Sequence, residues 1–175
     1  MGNKSFPGFF FPDEGARTVE DVDYEKLQGS GIKAVIFDLD NTIARWEDES
    51  LESEILELLD FLTDLGLKVG ILTNSRRESI EEFINDLPFP HLFNANKPST
   101  KGFRKMAAQL GFPPAEVAMV GDQLLTDVLG ANRVNMYTIR VEPMDPTKEY
   151  KFTKVNRIAE RILFSLREIY RYFRR

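Results

Sequence analysis

The sequence contains no cysteine, and His91 is its only histidine. The first absence excludes disulfides, iron–sulfur clusters and thiolate catalysis; it is compatible with a reducing compartment, although many secreted proteins also lack cysteine. The second argues against a histidine-based transition-metal site, so any metal should be a hard cation held by carboxylates. His91 itself is read as structural. No apolar run is long enough to span a membrane. The N-terminus lacks the basic-then-apolar layout of a signal peptide. Met1-Gly2 opens like a myristoylation site, but Phe6 stands where that motif needs Ser or Thr.

The 175 residues suffice for one domain with a full core and are few for two. The hydrophobic and charged fractions, 42% and 29%, are those of an ordinary soluble protein. The net charge of −5 is unevenly spread: residues 151–175 carry +6 and the first 150 carry −11.

Residues 1–31 form a turn-rich, aromatic N-terminal extension ending in Gly29-Ser30-Gly31. Ile32 to Leu39 then reads as a buried strand with a carboxylate at its C-terminal end. Leu51, Ile55, Leu58, Leu59, Leu62 and Leu65 recur at helical spacing, and Gly66 closes that helix. A strand from Leu67 to Leu72 leads into Thr73-Asn74-Ser75. Ser75-Arg76-Arg77-Glu78 fits a capping box, which predicts a helix starting immediately after it. A short strand near Leu92-Phe93 precedes Asn96-Lys97-Pro98, and Ser99 is placed to cap a helix running to about Leu110. Further strands are predicted over Val117 to Val120 and Tyr137 to Val141.

Strands alternating with helices over residues 32–141 argue for an α/β fold with a parallel sheet. Ligands in such sheets bind beyond the carboxyl ends of the strands. Asp38 and Asp40, Thr73 and Asn74, Lys97, and Asp122 and Asp127 all fall at or just past those ends. Four segments thus converge on one sheet edge.

This set offers carboxylates, an ammonium and a hydroxyl. Carboxylates alone repel an anion, so a cation belongs with them, and Mg²⁺ suits a few carboxylates plus substrate oxygens. The matching substrate is a phosphate ester. A carboxylate approaching a phosphate meets repulsion of about 4 kcal/mol per charge pair at 4 Å and an effective dielectric near 20. Mg²⁺ and Lys97 can offset it. Asp38 is placed to attack phosphorus and form an aspartyl-phosphate. Asp40, two residues on, is placed to protonate the leaving oxygen and then to activate water.

Asp38-Leu39-Asp40-Asn41-Thr42, Leu72-Thr73-Asn74-Ser75, Lys97-Pro98 and Gly121-Asp122 with Asp127 resemble the four ordered motifs of the haloacid dehalogenase-like phosphatases. The resemblance spans roughly residues 32–141 and implies a Rossmann-like three-layer fold. It implies Asp38 as nucleophile, Asp40 as acid/base, and Thr73 with Lys97 holding the phosphoryl group. It also implies Mg²⁺ bound by Asp38, the Asp40 carbonyl and Asp122, with Asp127 in support. Asn41, Thr42 and Asn74 join these as candidate substrate contacts. A narrower resemblance rests on Phe11-Pro12-Asp13-Glu14, Val22 to Leu27, Gly31-Ile32-Lys33, Arg45-Trp46 and Gly121 to Asp127. It is to the YqeG-type members of subclass IIIA, related to the phosphatidylglycerophosphate phosphatases of mitochondria and plastids, and it implies a lipid phosphate monoester as substrate. Arg45 and Trp46 are then candidate head-group contacts, the alternative being packing on the first loop.

Thr73 lies 35 positions after Asp38, and Lys97 a further 24. One helix fills most of each gap, so neither has room for a cap domain. An open site suits a lipid head group or a macromolecule, or a small molecule enclosed by oligomerisation; the oligomeric state is left open. Val155, Ile158, Ile162, Leu166, Ile169 and Phe173 form an apolar helical stripe largely opposite Lys154, Arg157, Arg161, Arg167, Arg171 and Arg175. Such a basic amphipathic helix either docks on the body or lies on an anionic membrane. Beyond Phe164 its basic face lacks the interleaved aromatics of a nucleic-acid surface. The expectation is thus a single uncapped domain, cytoplasmic, with peripheral contact at the inner face of a membrane in phospholipid biosynthesis. The rivals are a soluble sugar-phosphate or nucleotide phosphatase and a non-catalytic binding protein of the same fold.

Overall fold

The structure is a computed structural model that describes residues 8–147. The basic C-terminal helix read over 151–175, and residues 1–7, lie outside the described residues.

Six parallel strands form one sheet: β1 (Glu14–Gly15), β2 (Ala34–Phe37), β3 (Lys68–Leu72), β4 (His91–Leu92), β5 (Val117–Gly121) and β6 (Tyr137–Arg140), in the order β1-β6-β5-β2-β3-β4. The helices are α1 (Tyr24–Gly29), α2 (Ser53–Asp64), α3 (Glu78–Asn85), α4 (Thr100–Leu110) and the short α5 (Leu129–Asn132). Alternation along the central strands assigns the layers. Val35 and Phe37 of β2, with Ala118 and Val120 of β5, pack against Tyr24, Leu27, Ile55, Leu59, Leu62, Ile80 and Ile84 from α1, α2 and α3. Ala34 and Ile36, with Val117 and Met119, face Phe103, Met106, Ala107 and Leu110 of α4 on the other side. Side chains on successive strand residues point to opposite faces, so a strand covered on both sides is apolar throughout, as β2 is.

The expected α/β architecture is therefore present, with helices on both faces of a wholly parallel sheet. Between β2 and β3 lies one loop and α2; between β3 and β4 lies α3. Neither crossover carries a cap. Gly66 adopts φ +85° just past α2, which a side chain would strain.

Two local expectations are corrected. The capping box at Ser75 does not form: α3 starts at Glu78, behind Arg77, with no side-chain cap. Ser75 is instead buried, its amide donating to Thr73 Oγ1 (2.9 Å), because its segment is drawn into the site. Ser99 does occupy the position before α4, but its side chain makes no capping bond.

The segment read as an N-terminal extension is part of the body. β1 pairs with β6 along the sheet edge, and Val19, Val22, Tyr24 and Leu27 join the main core. Asn132 Nδ2 donates to the carbonyls of Phe9 (2.8 Å) and Phe11 (3.0 Å), fixing the start of the described chain. His91 has the structural role expected, its Nδ1 3.1 Å from the Phe89 carbonyl and its ring against Phe93.

Candidate active site

The chain moves from β2 outward to β3 on one side and to β5 on the other, so a crevice opens at the carboxyl end of β2, where strand order reverses. Asp38 stands at that point. Its amide donates to the Val120 carbonyl (2.9 Å), continuing the β2–β5 pairing, and its Oδ1 accepts from the Leu39 amide (2.7 Å). The chain then turns tightly. The Leu39 carbonyl accepts from the amides of Thr42, Ile43 and Ala44, and Asn41 adopts φ +61°, a conformation asparagine tolerates better than most residues. That turn holds Asp40, two residues past Asp38, with its side chain 15% exposed.

From β3 comes Thr73, buried, with its hydroxyl accepting from Ser75. Asn74 turns its amide onto the main chain of Lys97: Nδ2 donates to the Lys97 carbonyl (3.0 Å), and Oδ1 accepts from the Lys97 amide (2.7 Å). The two strand-end loops are thereby locked together, and the Lys97 side chain enters the crevice. From β5 comes Asp122, followed by a wide, π-type helical turn over Leu124–Val128 that returns Asp127 to the same place. Such turns often mark functional sites. Gly121 permits the return, since a Cβ there would lie 2.6 Å from the Asp127 carboxylate carbon.

The result is a buried charge cluster. Carboxylate oxygens of Asp38, Asp122 and Asp127 lie within 4.8 Å of one another. Lys97 Nζ is 2.6 Å from Asp38 Oδ1 and 2.7 Å from Asp127 Oδ1. Asp127 Oδ2 also accepts from the Gln123 amide (3.1 Å). Burial and then Asp127 push the Asp38 carboxyl well above its usual range; Lys97 opposes them, and Asp122 adds to the rise. Burial acts to lower the Lys97 ammonium, but Asp127 and Asp38 outweigh it and hold its pKa above the ordinary lysine value. Three carboxylates thus gather around one ammonium. The donors of the cluster are hard oxygens, which fits a divalent cation of the kind that carboxylates hold.

Asp40 faces differently. Its Oδ1 pairs with Arg77 Nη2 at 2.7 Å. Burial raises its pKa, while Arg77, and after it the Ser75 hydroxyl, pull the other way without cancelling the rise.

The residues predicted from sequence thus fall into four groups. Asp38, Lys97, Asp122 and Asp127 meet directly, Asp40 lies within the field of Lys97, and Thr73 is buried at the end of β3. Asn41 and Asn74 hold loops: Asn41 accepts from Met144 through its carbonyl (3.0 Å) and from Asp145 through Oδ1 (3.3 Å), and Asn74 clamps Lys97. Thr42 is buried in the turn, and its hydroxyl has no hydrogen-bond partner among the described residues. Arg45 is exposed and paired with Glu52, while Trp46 is half-buried under Arg77. Arg77 and Ser75 went unassigned in the sequence. Ser75 stood only as the last residue of the Leu72-Thr73-Asn74-Ser75 motif and Arg77 two residues beyond it, and the capping-box pattern explained both residues without the site.

A model of the haloacid dehalogenase-like hydrolases matches residues 44–135, a span holding Thr73, Lys97, Asp122 and Asp127 and beginning just after the Asp38 turn. The chain is 33% identical to the probable phosphatase YqeG of Bacillus subtilis, over 90% of this chain and 91% of that one. The chain belongs to the haloacid dehalogenase-like hydrolases. Among relatives of this family, it is 28% identical to the chloroplastic phosphatidylglycerophosphate phosphatase 1 of Chlamydomonas reinhardtii, over 85% of this chain and 57% of that one. The fold also matches cobalt-bound deoxy-D-mannose-octulosonate 8-phosphate phosphatase from Haemophilus influenzae, with a TM-score of 0.54 at 18% identity over 66% of this chain and 70% of that one. The chain is an enzyme of the phosphatase type within the haloacid dehalogenase-like family. Among the described residues, no helix is long and apolar enough to cross a membrane.

Proposed function

We propose that this chain is a single-domain, Mg²⁺-dependent phosphate monoester hydrolase that works through an aspartyl-phosphate on Asp38, with phosphatidylglycerophosphate as its leading substrate. The observation that carries the chemistry is the buried cluster at the end of β2: a carboxylate held by Lys97 at 2.6 Å, with two further carboxylates beside it.

Mg²⁺ held by Asp38, the Asp40 carbonyl and Asp122, with Asp127 in support, would offset charge on the phosphoryl oxygens. An Asp38 oxygen attacks phosphorus as the ester P–O bond breaks. Asp40 gives its proton to the leaving oxygen, releasing an alcohol. Water then attacks the aspartyl-phosphate and yields a proton to Asp40. The Asp38 O–P bond breaks, phosphate leaves and the carboxylate is restored. Lys97 neutralises the nucleophile before attack and the phosphoryl oxygens during it. In this reading Thr73 donates to the same oxygens, with Thr42, Asn41 and Asn74 shaping that cradle. Arg45 and Trp46, at the outer rim, are the proposed head-group contacts.

The lipid assignment draws on the 28% identity to a phosphatidylglycerophosphate phosphatase and on the uncapped site, which leaves space for a bulky substrate. It includes peripheral contact with anionic membranes through the basic residues of 151–175.

Two measurements test this reading. Asp38→Asn should abolish Mg²⁺-dependent hydrolysis of an aryl phosphate in a folded protein; retained turnover rules out the covalent route. A phosphate-release panel should favour phosphatidylglycerophosphate in mixed micelles over soluble sugar phosphates and nucleotides. Preference for a soluble ester would replace the lipid with a small-molecule substrate.

A further inference from the structure

Arg77 spends its guanidinium across the mouth of the crevice. Nη2 donates to Asp40 Oδ1 at 2.7 Å, and Nη1 donates to the carbonyls of Asp48 (2.9 Å) and Trp46. The guanidinium carbon also stands over the Trp46 ring, 5.3 Å from its centroid. These contacts join the segment after β3 to the loop after β2, and the ion-paired side chains are only 17% (Arg77) and 15% (Asp40) exposed.

We propose that Arg77 is the positioning residue for Asp40, holding one carboxylate oxygen so that the other carries the proton to and from the substrate oxygen. The inference rests on the acid/base role proposed for Asp40. A carboxylate on a short side chain can turn either oxygen to the substrate and can swing towards Lys97. Grip on Oδ1 removes that freedom. Arginine alone has the geometry to do this, because its planar fork serves a carboxylate with one nitrogen and two carbonyls with another while its face stacks on an aromatic ring. Residues 46–48 are pinned over Asp40 in the process, giving this uncapped site a fixed wall beside its acid/base.

The test compares esters that differ in their need for a proton. Leaving groups such as 4-nitrophenolate depart without much help, whereas the alkoxide of glycerol 2-phosphate needs a general acid, a contribution of about 10²- to 10⁴-fold. Arg77→Ala should lower kcat on glycerol 2-phosphate about 100-fold and on 4-nitrophenyl phosphate less than about fivefold, with KM changed less than about threefold on both. Arg77→Lys, which keeps a charge near Asp40 but not the fork, should recover part of the alkyl-ester rate and supplies the comparison if the alanine variant folds poorly. The double variant Arg77→Ala/Asp40→Asn should be no slower than Asp40→Asn alone, since Arg77 acts through Asp40. Equal losses on both esters, a loss confined to KM, or an additive double variant would overturn the proposal. The underlying reading fails separately: an Asp40→Asn variant whose loss ignores the leaving group removes the acid/base itself.

Discussion

Lys97 Nζ lies 2.6 Å from Asp38 Oδ1, in a pocket where both side chains are at most 5% exposed. The same nitrogen touches Asp127. One ammonium therefore compensates Asp38 and Asp127 together, and its loss leaves those two carboxylates buried against each other. Removing one partner of a buried ion pair typically costs about 3–5 kcal/mol. Lys97→Met should destabilise the metal-free protein by about that amount, measured by urea unfolding in EDTA, and added Mg²⁺ should restore part of it. Its turnover should fall at least about 100-fold, as when a preorganised charge is removed from a transition state. Unchanged unfolding in EDTA would show that Lys97 does not balance the cluster.

The raised pKa of Asp38 has a definite sign as a stability effect. A carboxyl whose folded value lies above its unfolded value binds protons more readily in the folded chain. Below the unfolded value both states are protonated and the group contributes nothing. As pH rises from there through the folded value, folding increasingly costs the placement of a charge among other charges. In EDTA, wild-type stability should decline with pH over that window relative to Asp38→Asn, and the variant should be the more stable of the two at neutral pH. Saturating Mg²⁺ should reverse the order, because the cation stabilises the ionised carboxylate that the variant lacks. Paired thermal melts across pH, with and without Mg²⁺, check both halves. A variant less stable than wild type at neutral pH in EDTA contradicts the sign.

What the sequence disclosed depended on how local each signal was. β2 and β5 are covered on both faces and so are apolar runs, and each ends at a carboxylate. That pattern alone placed Asp38 and Asp122 at the sheet edge. The return of Asp127 was less legible, because it depends on a wide helical turn and on Gly121 having no side chain. Arg77 was not legible. It meets Asp40 across a sequence separation of 37 residues, and a local pattern, the capping box, offered a sufficient but incorrect explanation for its neighbourhood. The N-terminal segment was similarly obscured, since β1 is only two residues long and acquires its strand character by pairing with β6.

Gly121 is where backbone packing and site chemistry meet. A methyl group there would fall 2.6 Å from the Asp127 carboxylate, too close for any Cβ, so Gly121→Ala must push Asp127 away. That movement breaks its ion pair with Lys97 and loosens the third carboxylate of the cluster. Divalent-cation affinity should fall about 10- to 100-fold, the usual cost of disturbing residues that support metal ligands. Isothermal titration with Mg²⁺ measures this, and far-UV circular dichroism should show the sheet intact. Wild-type affinity in a folded Gly121→Ala protein would mean that Asp127 takes no part in binding the cation.

Asp13 anchors the N-terminal segment to the far edge of the sheet. Its Oδ2 accepts from both the amide and the hydroxyl of Thr138 at 2.9 Å, and that hydroxyl also contacts Asn132 Oδ1 (3.1 Å). Thr138 is fully buried, so Asp13→Ala leaves a buried amide without its charged acceptor. Hydrogen bonds to charged groups contribute about 1.5–3 kcal/mol each, and a shared acceptor makes the two bonds less than additive. Asp13→Ala should therefore lower stability by about 2–3 kcal/mol in urea unfolding. Asp13 belongs to the opposite end of the β6 pairing from the Asp38 crevice, so kcat on 4-nitrophenyl phosphate should stay within about twofold of wild type. A large fall in kcat without loss of stability would instead link the sheet edge to the site through β6 and Arg140, whose Nε donates to the Asp122 carbonyl (3.2 Å).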